Sequence, residues 1–170
     1  MSPCRNLPTL SLPIDFTPEN LFTALMTTKD YSGLKNLMEK KVPFNEHLKM
    51  SVEVIREGFC RVRVPWQTHL TGDTNRPAVH GGVLATLLDA AGGVAGWSLL
   101  ENENDRLSTV DLRVDYLRPG PAKDMLCEAQ VVRMGNKVCV VKMEIYSEGD
   151  DKSNIGPIAT GQGVFNVAKN

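Results

Sequence analysis

Between Val83 and Leu100 the chain carries one ionisable side chain, Asp89, among residues that are otherwise apolar, small or hydroxylated. A stretch of that character is destined for burial, and the remaining chain must supply what buries it. A carboxylate in such a segment is costly unless it is paired, hydrogen-bonded or employed in chemistry. The segment opens on His80-Gly81-Gly82, whose glycines leave backbone N–H groups bare. A helix beginning there presents unpaired donors and the positive end of its dipole, which suits an oxyanion. One anionic group and one anion-seeking helix end therefore share a single element.

A chain of 170 residues has room for one domain with a sizeable core and a terminal extension. Its formal net charge of −1 gives no electrostatic reason to expect nucleic acid or an anionic membrane. Cys4, Cys60, Cys127 and Cys139 are scattered, without a C-x-x-C pair or a Cys/His cluster, so neither a metal site nor a disulfide framework is expected. Pro3, Pro8, Pro13 and Pro18 interrupt the N-terminus and leave no signal-peptide core. Asp89, the glycines at 92, 93 and 96, and the absence of basic flanks argue against a membrane span over Val83–Leu100. These features predict a cytoplasmic protein with reduced thiols.

The prolines make residues 1–18 an extended arm. Helical spacing follows from Pro18 to about Lys41, with a break expected at Ser32-Gly33 and a stop at Pro43. Alternation then takes over. Leu48 to Val54 and Phe59 to Val64 read as antiparallel strands joined near Arg56–Gly58. A polar loop runs from Pro65 to Val79, and the apolar helix from about His80 to Leu100. Four further strands are expected at Leu107–Leu117, Asp124–Met134, Lys137–Ser147 and Gly156–Val167, with a tight hairpin at Gly135-Asn136. Antiparallel sheet wrapping one central helix is the economical arrangement of these pieces.

This order, together with His80-Gly81-Gly82 and Asp89 nine residues after the histidine, resembles the hotdog-fold acyl-CoA thioesterases. The nearest group is that of the phenylacetate-pathway (PaaI-like) and 4-hydroxybenzoyl-CoA thioesterases. Ser108-Thr109-Val110-Asp111-Leu112-Arg113-Val114-Asp115-Tyr116-Leu117-Arg118-Pro119 is similar to the strand that follows the helix in that family. The likeness runs roughly from Pro43 to Val167. It implies an α+β hotdog fold over residues 43–170, preceded by an arm and short helices over 1–42. It also implies an acyl-CoA substrate, coenzyme A entering only as part of that substrate, no metal or redox cofactor, and a homodimer or a dimer of dimers.

Helical geometry bears on the last point independently. Asp89 lies eight residues beyond Gly81, about 12 Å along a helix and roughly 80° around it. One thioester carbon cannot sit about 3 Å from both groups in the same chain. If both act on one bond, Asp89 must come from a second protomer whose helix runs antiparallel alongside. Ala85, Thr86, Gly92, Gly93 and Gly96 are small neighbours of Asp89 and leave room for another backbone or a thin ligand arm.

The candidate catalytic pair is thus Gly81, through its N–H, and Asp89, as general base or nucleophile. His80 and Gly82 are candidates for binding the thioester, His80 equally for capping the helix. The resemblance places a polar amide near Thr74, which makes Asn75 a candidate and Gln67 a second, and it matches Thr109 to a hydroxyl that holds the attacking water. Arg113, Arg118, Lys123, Arg133 and Lys137 are candidates for coenzyme A phosphates or are plain sheet-edge charges. Trp66 and Trp97 line an acyl pocket or fill the core. His47 and His69 have no partner at metal-ligand spacing. A non-catalytic acyl-CoA sensor is the competing function. A hydratase is disfavoured by the relative order of His80 and Asp89.

Overall fold

The computed structural model describes residues 29–73, 75–102 and 104–169. The proline-rich arm, the start of the expected helical stretch, Cys4 and Thr74 lie outside the described residues. The first elements are α1 (Ser32–Asn36), a π-helical turn (Leu37–Lys41) and α2 (Pro43–His47). Ser32-Gly33, expected to break a helix, instead begins α1. Pro43 opens α2 at its first position, where its missing N–H costs nothing. Leu48 and Lys49 turn the chain, Lys49 with a left-handed φ of 54°, so the first strand begins later than the alternation suggests.

The strands are β1 (Ser51–Arg56), β2 (Phe59–Val64), β3 (Thr71–Asp73), β4 (Ala78–Val79), β5 (Arg106–Tyr116), β6 (Met125–Met134), β7 (Val138–Ser147) and β8 (Ala159–Ala168). Glu57-Gly58 turns β1 into β2, with Gly58 at φ 70°. Six strands form one antiparallel sheet in the order β1-β2-β6-β7-β8-β5, while β3 and β4 form a small separate ribbon. The Gly135-Asn136 hairpin joins β6 to β7 and is closed by Gly135 N–H donating to Val138 O. No residue of that turn has a positive φ, so it is not the left-handed turn that a Gly-Asn pair favours.

The sheet wraps α3 (Gly81–Trp97), as the hotdog arrangement requires. Leu84, Leu87, Leu88, Ala91, Gly92 and Ala95 face the sheet at three- and four-residue spacing and are buried. Gly92 fits there because a Cβ would lie 2.7 Å from Met143 Sδ and 2.8 Å from Phe165 Cζ. The other face carries Gly82, Thr86, Asp89, Gly93 and Trp97, none of them fully buried. The small residues around Asp89 therefore divide: Gly92 and Gly96 admit sheet side chains, whereas Ala85, Thr86 and Gly93 leave space outside. Among the described residues no helix is long and apolar enough to cross a membrane.

Candidate active site

The start of α3 and Asp89 at its middle reach their places by different means. At its start, His80 N–H donates to Leu70 O and Val79 N–H to Gly120 O, which fixes the chain entering the helix. The ribbon crosses so closely that a Cβ on Gly72 would lie 2.7 Å from the His80 Cα, so only glycine fits there. His80 is extended (φ −63°, ψ 135°) and caps the helix, with Nδ1 accepting from Gly82 N–H at 2.9 Å. Val83 N–H and Leu84 N–H both donate to His80 O. Of the first-turn amides, this leaves Gly81 N–H without a hydrogen-bond partner among the described residues.

Tyr116 sits over this glycine, donating its hydroxyl to Gly81 O at 3.1 Å and laying its ring against the Cα. It holds the peptide that precedes Gly82 and so orients the helix end. Sequence reasoning quoted Tyr116 only as part of a strand, since nothing in its spacing betrays a bond to a residue 35 positions away. A cleft of about 530 Å³ opens here, lined by His80, Gly81, Leu84, Tyr116 and Arg118 among others. Arg118 is the only one of the five candidate cations that lines it. Its guanidinium is fixed by an ion pair with Asp150 and by donation to Gly156 O, which orients it at the cleft wall and compensates its charge in part.

Asp89 lies in a second cleft of about 330 Å³, on the outer face of α3. It is partly exposed in the single chain rather than buried, contrary to what an apolar stretch suggests. Thr109 Oγ1 donates to Asp89 Oδ1 at 2.8 Å, so the threonine matched to a water-holding hydroxyl lies against the carboxylate and keeps its acceptor lone pairs. Thr109 sits where β5 bulges against β8, between Thr109 and Asp111, and that irregularity sets its position relative to the helix. The other oxygen of Asp89 has no protein partner among the described residues.

The remaining candidates fall elsewhere. Asn75 is exposed at the ribbon turn, its N–H bonded to Asp73 Oδ1, and it lines neither cleft. Gln67 Nε2 donates to Leu48 O and ties loop to core. Arg113 pairs with Asp115 on its own strand, and Lys123 and Lys137 are exposed. Trp97 lines the Asp89 cleft, while Trp66 packs partly buried against the core. His47 and His69 meet with ring centroids 5.8 Å apart, although their sequence spacing gave no reason to expect it. No cluster of metal-ligating side chains occurs among the described residues.

The geometry gives each chain one donor and one carboxylate, in separate clefts on the same helix. A model of the thioesterase superfamily matches residues 77–153. The medium/long-chain acyl-CoA thioesterase YigI of Escherichia coli is 34% identical over 119 residues, which cover 63% of this chain and 77% of that one. The solved structure of a Shewanella oneidensis protein related to the thioesterase superfamily is 28% identical, with a TM-score of 0.70 over 80% of this chain and 94% of its own. A thioesterase family protein from Silicibacter pomeroyi, 24% identical, shares the fold with a TM-score of 0.73 over 83% of this chain and all of its own. The stretch matched by the family model contains both Gly81 and Asp89, and the chain belongs to the thioesterase superfamily.

Proposed function

We propose that this chain hydrolyses acyl-CoA thioesters to a carboxylate and free coenzyme A, in a homodimer or a dimer of dimers whose sites each join Gly81 of one protomer to Asp89 of another. One observation carries the reading: Gly81 N–H has no partner among the described residues and faces one cleft, while the Thr109-held Asp89 occupies another, about 12 Å further along the same helix. Neither cleft is a complete catalytic site by itself. An antiparallel second helix on the open face of α3 would bring each donor to a carboxylate and cover a helix that is apolar on both sides. The long edge strand β5 supports association, with Val110 66% exposed on it and one backbone edge unpaired within the sheet.

In such a site the thioester carbonyl oxygen accepts from Gly81 N–H, and the charge it gains on attack is stabilised by that amide and the helix end. Asp89 takes a proton from water as the water oxygen bonds to the carbonyl carbon. Collapse of the tetrahedral species breaks the C–S bond, and the same proton passes to the departing sulfur. Direct attack by Asp89 uses the same two groups, breaks the C–S bond with coenzyme A leaving as a thiolate that takes a proton from water, and gives a mixed anhydride that water then cleaves. Arg118, fixed at the wall of the Gly81 cleft, is placed to meet a phosphate of coenzyme A. Water is the only co-reactant. The buried free thiols of Cys60, Cys127 and Cys139 suit a reducing, cytoplasmic setting.

The test is thiol release from a panel of acyl-CoAs by wild type and Asp89→Asn, followed by mixing Asp89→Asn with Gly81→Pro. Loss of turnover in each variant and partial recovery in the mixture are expected. Heterodimers that form yet stay inactive would overturn the shared site, and tight acyl-CoA binding without turnover by wild type would make the chain a sensor. A single turnover in ¹⁸O-water places label in Asp89 only if the carboxylate is the nucleophile.

A further inference from the structure

We infer that His47 and His69 form a two-imidazole clip for a divalent late transition-metal ion such as zinc, which ties the N-terminal segment to the loop leading into α3. The inference is independent of the hydrolase reading. The histidines lie on separate pieces of chain, His47 at the end of α2 and His69 in a 3₁₀ turn over Thr68–Leu70. Their sequence spacing carries no metal-ligand pattern, and it is the fold that brings the ring centroids to 5.8 Å. Neither ring lines the Gly81 cleft or the Asp89 cleft.

Each ring is placed by a buried neighbour. Leu48 and Leu70, next to His47 and His69, are 3% and 6% exposed and belong to the core. Gln67 Nε2 donates to Leu48 O at 3.3 Å and Leu70 N–H donates to Gln67 O, so the two backbones are already tied together. Both imidazoles are exposed, and among the described residues neither makes a hydrogen bond or an ion pair. A neutral imidazole keeps a lone pair on one ring nitrogen, and no protein donor claims it here. The ring planes are tilted by 48°, so the pair is not a face-to-face stack. Metal–nitrogen bonds of about 2.0–2.1 Å put an ion about 3.2 Å from each centroid, so imidazoles sharing a tetrahedral ion have centroids about 5.2 Å apart. The observed separation is about 0.6 Å longer, a closure that two exposed side chains reach by small χ rotations.

The donor set chooses the ion. Two neutral nitrogens suit zinc, nickel and copper, whereas calcium and magnesium need oxygen ligands. Glu46 and Lys49 flank His47 in sequence with opposite charges, so the imidazoles rather than a local field select the cation. No third His, Cys, Asp or Glu completes a cluster among the described residues, and water fills the remaining positions. The clip is therefore an open, exchangeable site and not the closed cage of a structural zinc. Its consequence runs along the chain. Leu70 O accepts from His80 N–H, a bond that fixes the entry to α3, so an ion on His69 braces the residue beside that acceptor.

The test is calorimetric titration of the untagged protein with Zn²⁺, in a Cys4→Ser background that removes a competing thiol outside the described residues. One ion per chain should bind. His47→Gln and His69→Gln should each weaken binding at least about tenfold. The double variant should fall little below either single one, because both rings hold the same ion. Since the rings are exposed, all three variants should fold, with melting temperatures close to that of the parent in EDTA. His80→Gln should bind Zn²⁺ as the parent does, because Nδ1 of that residue already accepts from Gly82 N–H. Ni²⁺ should compete for the site and Mg²⁺ should not. Zn²⁺ at about a hundred times its Kd should raise the Tm of the parent by about 5 °C or more and leave that of the double variant in place. Zinc affinity untouched by either substitution, displacement by Mg²⁺, or no binding up to about 1 mM Zn²⁺ would overturn the clip. Equal Tm gains in parent and double variant would place the ion elsewhere and overturn it as well.

Discussion

Replacing Gly81 by proline removes a single N–H from the molecule and little else. Gly81 is the first residue of α3, a position where proline suits the helix. Its amide has no hydrogen-bond partner among the described residues, so the helix forfeits no bond. His80, with ψ at 135°, already holds the extended conformation that a residue before proline requires. Any side chain at this position puts a Cβ 3.3 Å from Tyr116 Cε1, and the 55%-exposed ring can yield by a few tenths of an ångström. Gly81→Ala makes the same contact but keeps the N–H, so the difference between the two variants isolates the donor. Loss of one oxyanion donor costs about 10²–10³ in kcat, or about 2.7–4 kcal/mol. Thiol-release kinetics should therefore show Gly81→Ala within about tenfold of wild type and Gly81→Pro at least about a hundredfold below Gly81→Ala, with similar melting temperatures. Equal kcat for the two variants would refute the assignment of this amide as the oxyanion donor.

Adjacent glycines in α3 should respond oppositely to alanine. Within the single chain Gly93→Ala gains about 1 kcal/mol of helix propensity without a contact, raising the Tm of the monomer by about 2–4 °C, while Gly92→Ala offsets the same gain with about 1–3 kcal/mol of overpacking against Met143 and Phe165. Calorimetric scans that rank them the other way would show the helix faces to be misassigned. Lys49→Gly should stabilise by about 1 kcal/mol by relieving a left-handed non-glycine residue after α2, measurable as a raised urea midpoint with an unchanged m-value. Burial pushes Glu128 up, but hydrogen bonds from Lys152 and Arg61 outweigh it and hold the carboxyl below its ordinary range. A folded-state value below the unfolded one contributes stability that is complete above the unfolded pKa of about 4.3 and is lost as pH falls through the folded value. The Tm of wild type should therefore decline on acidification below that range, and Glu128→Gln should flatten the decline. An equally steep fall in the variant would remove Glu128 from the acid response.

The architecture was legible because it follows from patterning. An all-round apolar helix and four alternating segments admit few arrangements, and the strands of the long run fall within a few residues of their expected limits. The places where expectation slipped are local conformational choices. Pro43 reads equally as a helix stop or as a first helical residue, and only the turn before it decides which. Leu48 continues the alternation of the first strand, but Lys49 turns left-handed and delays that strand to Ser51. Neither distinction is carried by hydrophobic periodicity.

The site was legible in part for a related reason. Gly81 and Asp89 are separated by helical geometry, which is readable from spacing, and the structure places them in different clefts of one chain. Tyr116 and Arg118 depend on how the end of β5 returns to the start of α3, a tertiary relation that no local pattern encodes. The partial exposure of Asp89 is the most telling departure. A carboxylate left partly exposed on an otherwise apolar helix, already held by one hydroxyl and lining a largely apolar cleft, is what the proposed dimer would require, since there a second chain would supply its working environment. Burial by a second protomer would raise the cost of that charge and the strength of every interaction it makes. The same association would complete the chemistry and cover the outer face of α3.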